Sequence, residues 1–97
     1  MGKKVDKIYD LMTQLDNVGR NGITGYEISK IHNISKEAIT VISSLKKIDE
    51  NLKSEILKEL NSVLESINKK GEKNLMDLIR STNSPIISVL NFYGIEF

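Results

Sequence analysis

Residues 49–70 contain neither glycine nor proline, and their apolar side chains recur every three or four residues. This spacing places the apolar side chains on one broad face of an α-helix, whereas a half-buried strand would alternate apolar and polar residues. Asp49 is placed to cap such a helix, and Gly71 is placed to end it. The segment therefore predicts a long amphipathic helix. Its apolar face consists of Leu52, Ile56, Leu57, Leu60, Val63, Leu64 and Ile67.

The remaining segments predict helices as well. Residues 3–18 carry an apolar stripe at helical spacing, and the glycine that follows favours a helix end. Residues 72–81 predict a short helix. A second one is predicted over residues 85–93, because Asn83-Ser84-Pro85 gives a cap with proline at the first helical position. Together with the segment that precedes residue 49, the sequence predicts an all-α fold of five to six helices.

Length and composition limit the kind of protein this chain is. With 97 residues, of which 39% are hydrophobic, it is long enough for one core, which predicts a single domain over residues 1–97. The sequence has no cysteine, which excludes disulfides and fits a cytoplasmic location. No apolar run approaches the roughly 20 residues that a membrane helix needs, so no membrane partner is expected.

Residues 23–48 carry two helix-start signals in succession. The first is a capping box ahead of a short helix over residues 25–32. The second is a residue that favours a left-handed turn, followed by a serine cap ahead of a helix over residues 36–47. The residues that carry the two signals are Thr24, Glu27, Asn33 and Ser35.

This arrangement resembles the helix-turn-helix of bacterial and archaeal regulators. The positions that match that pattern are Thr24, Glu27, Ile28, Ser29, Asn33, Ile34, Ser35 and Ile39. The resemblance implies an N-terminal tri-helical core in residues 1–48, in which the helix over 3–18 braces the other two. It also implies a small DNA-binding transcriptional regulator, whose second motif helix enters the major groove of double-stranded DNA.

The DNA contacts that the resemblance implies are the positions of the motif that face away from the core. Lysines suit phosphates or guanine, hydroxyls suit bases or phosphates, and Val41 suits a thymine methyl group or else belongs to a wider core stripe. His32 is expected to pack partly buried or to contact a phosphate. The predicted DNA-binding residues are Thr24, Tyr26, Lys30, Lys36, Glu37, Thr40, Val41, Ser44 and Lys47.

The helical part over residues 49–97 is expected to join two copies of the chain or to bind another protein, because helix-turn-helix units commonly bind DNA as dimers. The alternative is that the long helix packs within its own chain. The predicted dimer or partner interface consists of Leu52, Ile56, Leu60, Val63, Ile67, Phe92 and Phe97.

The charge is consistent with two functions. The net charge is +1, divided into +3 for residues 1–48 and −2 for residues 49–97, which suits a DNA-facing part and a partner-facing part. The near-neutral total and the absence of arginine from the motif favour the alternative of a helical protein-interaction module, an inhibitor or adaptor that does not bind DNA. The sequence has no phosphate-binding glycine loop, no nucleophile elbow and a single histidine, so no enzyme, metal or cofactor is expected.

Overall fold

The computed structural model describes residues 3–20, 25–70 and 75–94. These ranges form α-helices and contain no strand, so the all-α prediction is confirmed. The predicted number of five to six helices is wrong, because two pairs of predicted helices are each one continuous helix. The helices are α1 (Lys3–Arg20), α2 (Gly25–Ser43), α3 (Glu50–Lys70) and α4 (Leu75–Phe92).

The turn predicted at Asn33 is not formed, and α2 runs through that position without a break. Within the described ranges, the only residue with a positive φ is Gly94, so the backbone of Asn33 does not adopt the left-handed conformation that the turn requires. The separate helices predicted over residues 25–32 and 36–47, and the tri-helical core built from them, are therefore corrected to one longer helix.

Burial explains why α2 is continuous. Its apolar stripe keeps helical spacing through the expected turn, so a single helix buries Ile31, Ile34, Ala38 and Ile42 together. Burying one such aliphatic side chain contributes roughly 1.5–3 kcal/mol. Ser35 is also fully buried, and its hydroxyl has no hydrogen-bond partner, which costs roughly 1–3 kcal/mol. The stripe as a whole outweighs this local cost.

The helix α3 begins where the sequence predicts. Asp49 accepts a hydrogen bond at its carboxylate from the backbone N–H of Leu52, at 2.9 Å, which is the geometry of an N-terminal cap. The preceding helix ends at Ser43, a few residues earlier than expected, so residues 44–49 form the connection between α2 and α3.

Two short helices predicted in the C-terminal part are one helix, α4, with Pro85 in its interior. Proline lacks the N–H that would bond to the carbonyl of Ser81, and this normally breaks or kinks a helix. The buried stripe of α4 nevertheless continues on both sides of Pro85, from Leu78 to Leu90. Burial of this stripe again outweighs the local preference for a helix end at Pro85. Gly94 has a φ of +81° directly after the helix, as expected for a helix-ending glycine.

The helices form a bundle in which neighbours along the chain are neighbours in space. α1 packs on α2 and α4, α3 packs on the same two helices, and α2 and α4 also touch each other. Among the described residues α1 and α3 make no contact, so they occupy opposite corners. Connections this short make consecutive helices antiparallel. The core is aliphatic and draws on every helix, including Ile8, Leu15, Ile31, Ile42, Ile56, Leu60, Ile86 and Leu90.

Candidate interaction surfaces

The outward face of α2 and the connection after it present most of the predicted DNA contacts to solvent. We call this surface the α2 face. Its residues are exposed and have polar side chains. They are Lys30, Lys36, Glu37, Thr40, Ser44 and Lys47. Thr24 lies outside the described residues, and so does the side chain of Tyr26.

Val41 does not belong to the α2 face. Its side chain is partly buried and packs against the core, so the alternative of a wider core stripe accounts for it. His32 is also partly buried.

Several polar groups of the α2 face are already engaged. Glu37 forms an ion pair with Lys7 of α1, with 3.1 Å between Nζ and Oε2. The Thr40 hydroxyl donates to the carbonyl of Lys36 at 3.1 Å, and the Ser44 hydroxyl donates to the carbonyl of Val41 at 2.7 Å. The carboxylate on this face is thus neutralised, while Lys30, Lys36 and Lys47 point three cationic groups at solvent.

The exposed face of α2 lies between two neighbouring helices. α1 and α3 both pack on α2, and among the described residues they do not contact each other. Packed helices lie roughly 8–10 Å apart.

The predicted dimer or partner interface is divided by the fold. Ile56, Leu60 and Val63 are at most 4% exposed and lie in the core of the single chain, so a second copy cannot contact them. The intramolecular alternative holds for these three residues because they fill the space that α2 and α4 leave on one side of α3. Leu52 and Ile67 are partly buried. Phe92 is 46% exposed, and Phe97 lies outside the described residues.

The connection over residues 44–49 accepts hydrogen bonds from side chains of α1, of α3 and of the residue that follows α4. Lys4 of α1 donates to the carbonyl of Ser44 at 2.9 Å, and Lys53 of α3 donates to the carbonyl of Leu45 at 2.9 Å. The hydroxyl of Tyr93, just past α4, donates to the carbonyl of Lys47 at 3.0 Å. These carbonyls lie just past the end of α2, where the backbone has left the helical bonding pattern, and the two lysine donors are favourable near a helix C-terminus.

These bonds define the tethered end of the bundle, which comprises residues 3–4, 44–50 and 92–94. Phe92 lies here with its ring edge-on to Tyr93, at a centroid distance of 5.3 Å and an interplanar angle of 82°. Lys46 and Lys47 are exposed in the connection, and Leu52 lies in the first turn of α3 at the same end. The sequence predicts roles for Lys47, Leu52 and Phe92 separately, and no local pattern places them at one end of the bundle. Lys4, Lys46 and Lys53 have no predicted role.

A groove of about 450 Å³ runs between α1 and α2, beside the α2 face. Its apolar floor is formed by Leu11, Val18 and Ile34. Amide and charged side chains surround that floor, so the groove is lined by groups that both donate and accept hydrogen bonds. These groups belong to Gln14, Asn17, Lys30, Asn33 and Glu37.

Comparison with known proteins adds no assignment. The chain matches no family model, and no curated protein or solved structure is significantly similar to it. None of the helices in the described ranges is both long enough and apolar enough to cross a membrane. Within the same ranges, no three His, Asp or Glu side chains are grouped so that they could hold a metal ion.

Proposed function

We propose that the chain is a cytoplasmic, non-enzymatic helical module that binds a partner protein through its tethered end. The observation that carries this proposal is the exposure of Phe92, which leaves 46% of a large aromatic side chain in solvent next to Tyr93. Aromatic side chains supply much of the binding energy of protein interfaces, because they bury a large area at a low cost in conformational entropy.

The hydrogen bonds of the tethered end support the same proposal. Tyr93, whose ring contacts that of Phe92, donates to the carbonyl of Lys47. The connection that presents Lys46 and Lys47 also accepts bonds from Lys4 and Lys53. Such bonds lower the conformational entropy that a surface loses on binding. The pairing of an exposed ring with exposed lysines suits a partner segment that carries both apolar and acidic side chains.

A retention experiment with single variants tests the proposal. The purified chain, Phe92→Ala and Met76→Ala would be immobilised separately, and the proteins that each retains from a cell extract would be identified by mass spectrometry. Met76 is a matched control, because it is 49% exposed and lies on the same helix at the opposite end of the bundle. A partner of the tethered end is retained by the wild type and by Met76→Ala and is lost with Phe92→Ala.

Titration of a retained partner with each of the three forms then measures how much Phe92 contributes to the affinity. Removing an aromatic anchor typically weakens an interface by about 2 kcal/mol or more, which is more than tenfold in Kd. If all three forms retain the same proteins with the same affinity, the tethered end is not the binding surface and the proposal fails.

A second copy of the chain is one candidate partner, since Leu52 and Phe92 remain accessible where the buried part of α3 does not. Sedimentation velocity over a range of protein concentrations tests for this homodimer. A dimer that depends on Phe92 and not on Met76 supports it, and a monomer at every concentration excludes it.

DNA binding is a second candidate function, and the α2 face favours it. Lys30, Lys36 and Lys47 are exposed along this face, while Lys7 neutralises the nearby carboxylate of Glu37. Because the cationic groups of this face are lysines, the proposed contacts are to phosphates. We expect weak binding with little sequence preference, and regulation of transcription would then require a further specificity element.

Salt dependence distinguishes the DNA proposal from protein binding. Fluorescence anisotropy of a mixed-sequence duplex would be measured at about 50 and about 200 mM salt, where log K falls by about 0.9 per neutralised phosphate and per unit of log salt. The double variant Lys36→Ala/Lys47→Ala should lower both the affinity and this slope. Lys58→Ala, which removes an exposed lysine of α3, is the matched control. Absence of binding at the lower salt concentration would exclude the DNA proposal.

A further inference from the structure

In the middle of α2, the local sequence favours a break, whereas the structure shows a continuous helix. Its sequence carries a turn residue, Asn33, followed by a cap residue, Ser35, and both favour dividing the helix there. The structure instead keeps the helix continuous and buries the Ser35 hydroxyl without a partner. Local signals that conflict with the overall fold are expected where a protein is strained or functional.

We propose that residues 33–35 are a built-in break point of α2, and that the bundle exchanges with a minor state in which α2 is divided there into two helices. In that state the Ser35 hydroxyl accepts a hydrogen bond from the backbone N–H of Glu37 or Ala38, as a cap residue does. The unpartnered hydroxyl of the continuous state thus gains its partner only when the helix divides.

The two halves of α2 are held to different extents. The half after the break point buries Ala38 and Ile42, and it is also fastened by the Lys7–Glu37 ion pair and by the bonds to the connection that follows it. The half before it is held by the burial of Ile31. Division at residues 33–35 therefore leaves the tethered end intact and moves only the first half of the helix.

The helix α4, which contacts α2, also contains residues in its interior that disfavour a continuous helix. Pro85 cannot donate a backbone bond to Ser81, and the buried side-chain oxygen of Asn83 has no hydrogen-bond partner. α2 and α4 run in the same direction, and both end at the tethered end. Asn83 and Pro85 lie about as far from that end as Ser35 does. Both helices therefore carry residues that disfavour a continuous helix at a similar level of the bundle.

The division would change the surface as well as the backbone. In the continuous helix, Lys30 and Lys36 belong to one exposed face. In the divided state they lie on two helices of different direction. A ligand that bridges Lys30 and Lys36 would therefore bind the continuous state more tightly and shift the population towards it.

Amide hydrogen exchange followed by NMR on the full chain tests the break point. In the divided state, the backbone N–H of Lys36 loses its bond to the carbonyl of His32, whereas that of Ile42 keeps its bond within the second helix. After correction for intrinsic rates, we expect the Lys36 amide to exchange at least about tenfold faster than the Ile42 amide, by an opening that denaturant barely affects.

Three variants make the test specific. Ser35→Ala removes the cap of the divided state and should reduce the difference between Lys36 and Ile42 by about fivefold or more. Ser29→Ala gives the same gain in helix propensity at an exposed position of α2 and should leave the difference unchanged. Asn33→Ala changes an exposed side chain, so it keeps the core intact, and it should act in the same direction as Ser35→Ala.

Two results would overturn the proposal. One is exchange of the Lys36 and Ile42 amides through the same global opening in the wild type. The other is an equal effect of Ser35→Ala and Ser29→Ala.

Discussion

The middle of α2 and the connection between α2 and α3 carry similar local signals with opposite outcomes. Asn33 and Ser35 supply a turn residue and a cap, and the helix continues through them. Asp49 supplies a cap, and the chain leaves its helix before it. The two sites differ in their hydrogen-bond donors and in their burial. Lys4, Lys53 and Tyr93 donate to three carbonyls of the connection. Next to Ser35, the side chains of Ile34 and Ala38 are buried, and a break there would disturb that burial.

A cap residue is therefore not sufficient to break a helix. A break requires donors for the carbonyls that it frees and must not disrupt a buried stripe. The donors at the connection come from outside α2, so their effect belongs to the tertiary structure.

The largest effect is expected from Lys36→Pro. In the continuous helix this change removes the bond to the His32 carbonyl and introduces a clash with it, which costs about 3 kcal/mol or more. At the first position of a separate helix, proline would be tolerated. Urea unfolding followed by circular dichroism measures the change. Glu50→Pro is the matched control, because Glu50 is the first residue of α3 and should accept proline with a loss below about 1 kcal/mol. Equal, small losses for both variants would mean that α2 is divided in solution.

Lys53→Met tests the donors at the connection. The change keeps the apolar stem of this partly buried side chain but removes the bond to the Leu45 carbonyl, which should cost about 1–2 kcal/mol. Lys58→Met, at an exposed position of the same helix, should change the free energy of unfolding by less than about 0.5 kcal/mol. If the two variants unfold at the same urea concentration, the bond to Leu45 contributes nothing to the connection.

Asp49→Ala tests the cap itself. Loss of the bond to the N–H of Leu52 should cost about 1 kcal/mol. Glu55→Ala removes one negative charge from an exposed position of α3 and controls for the change in net charge. Thermal unfolding resolves the difference, since 1 kcal/mol shifts the Tm of a domain of this size by roughly 4–8 °C. A shift no larger than that of Glu55→Ala would show that burial alone positions α3.

The smallest effect is expected from Tyr93→Phe. Only the hydroxyl is removed, and its bond to the Lys47 carbonyl is exposed, so the loss should be about 0.5–1 kcal/mol. The same variant should raise hydrogen exchange at the connection more than in the middle of α2. An increase of equal size at both places would indicate general loosening rather than loss of a local bond.

The helical segments could be predicted from the sequence because their signals are local. The stripes of α1 and α3, the cap at Asp49 and the glycine at position 94 are all set by residues within a few positions of each other. The continuity of α2 and α4 could not be predicted in this way. At Asn33 and Pro85 the local signals favour a break, and the opposing burial depends on the other helices.

The candidate surfaces were predictable to a similar extent. Exposure of Lys30 and Lys36 follows from helical periodicity, whereas Lys47 lies in the connection after α2. The packing of α1 and α3 on α2 does not follow from periodicity, because it depends on the tertiary structure. The bond from Tyr93 to the connection likewise depends on how α4 packs.

In the described ranges the four helices alternate in direction, so Lys4 and Tyr93 both lie at the tethered end. A fluorescent protein attached close to Lys3 or close to Gly94 would therefore stand near Phe92 and would crowd that ring. Moving it from one of these positions to the other would not relieve the crowding. A label on an engineered cysteine near Met76 would leave the ring open, since that position lies a full helix length away.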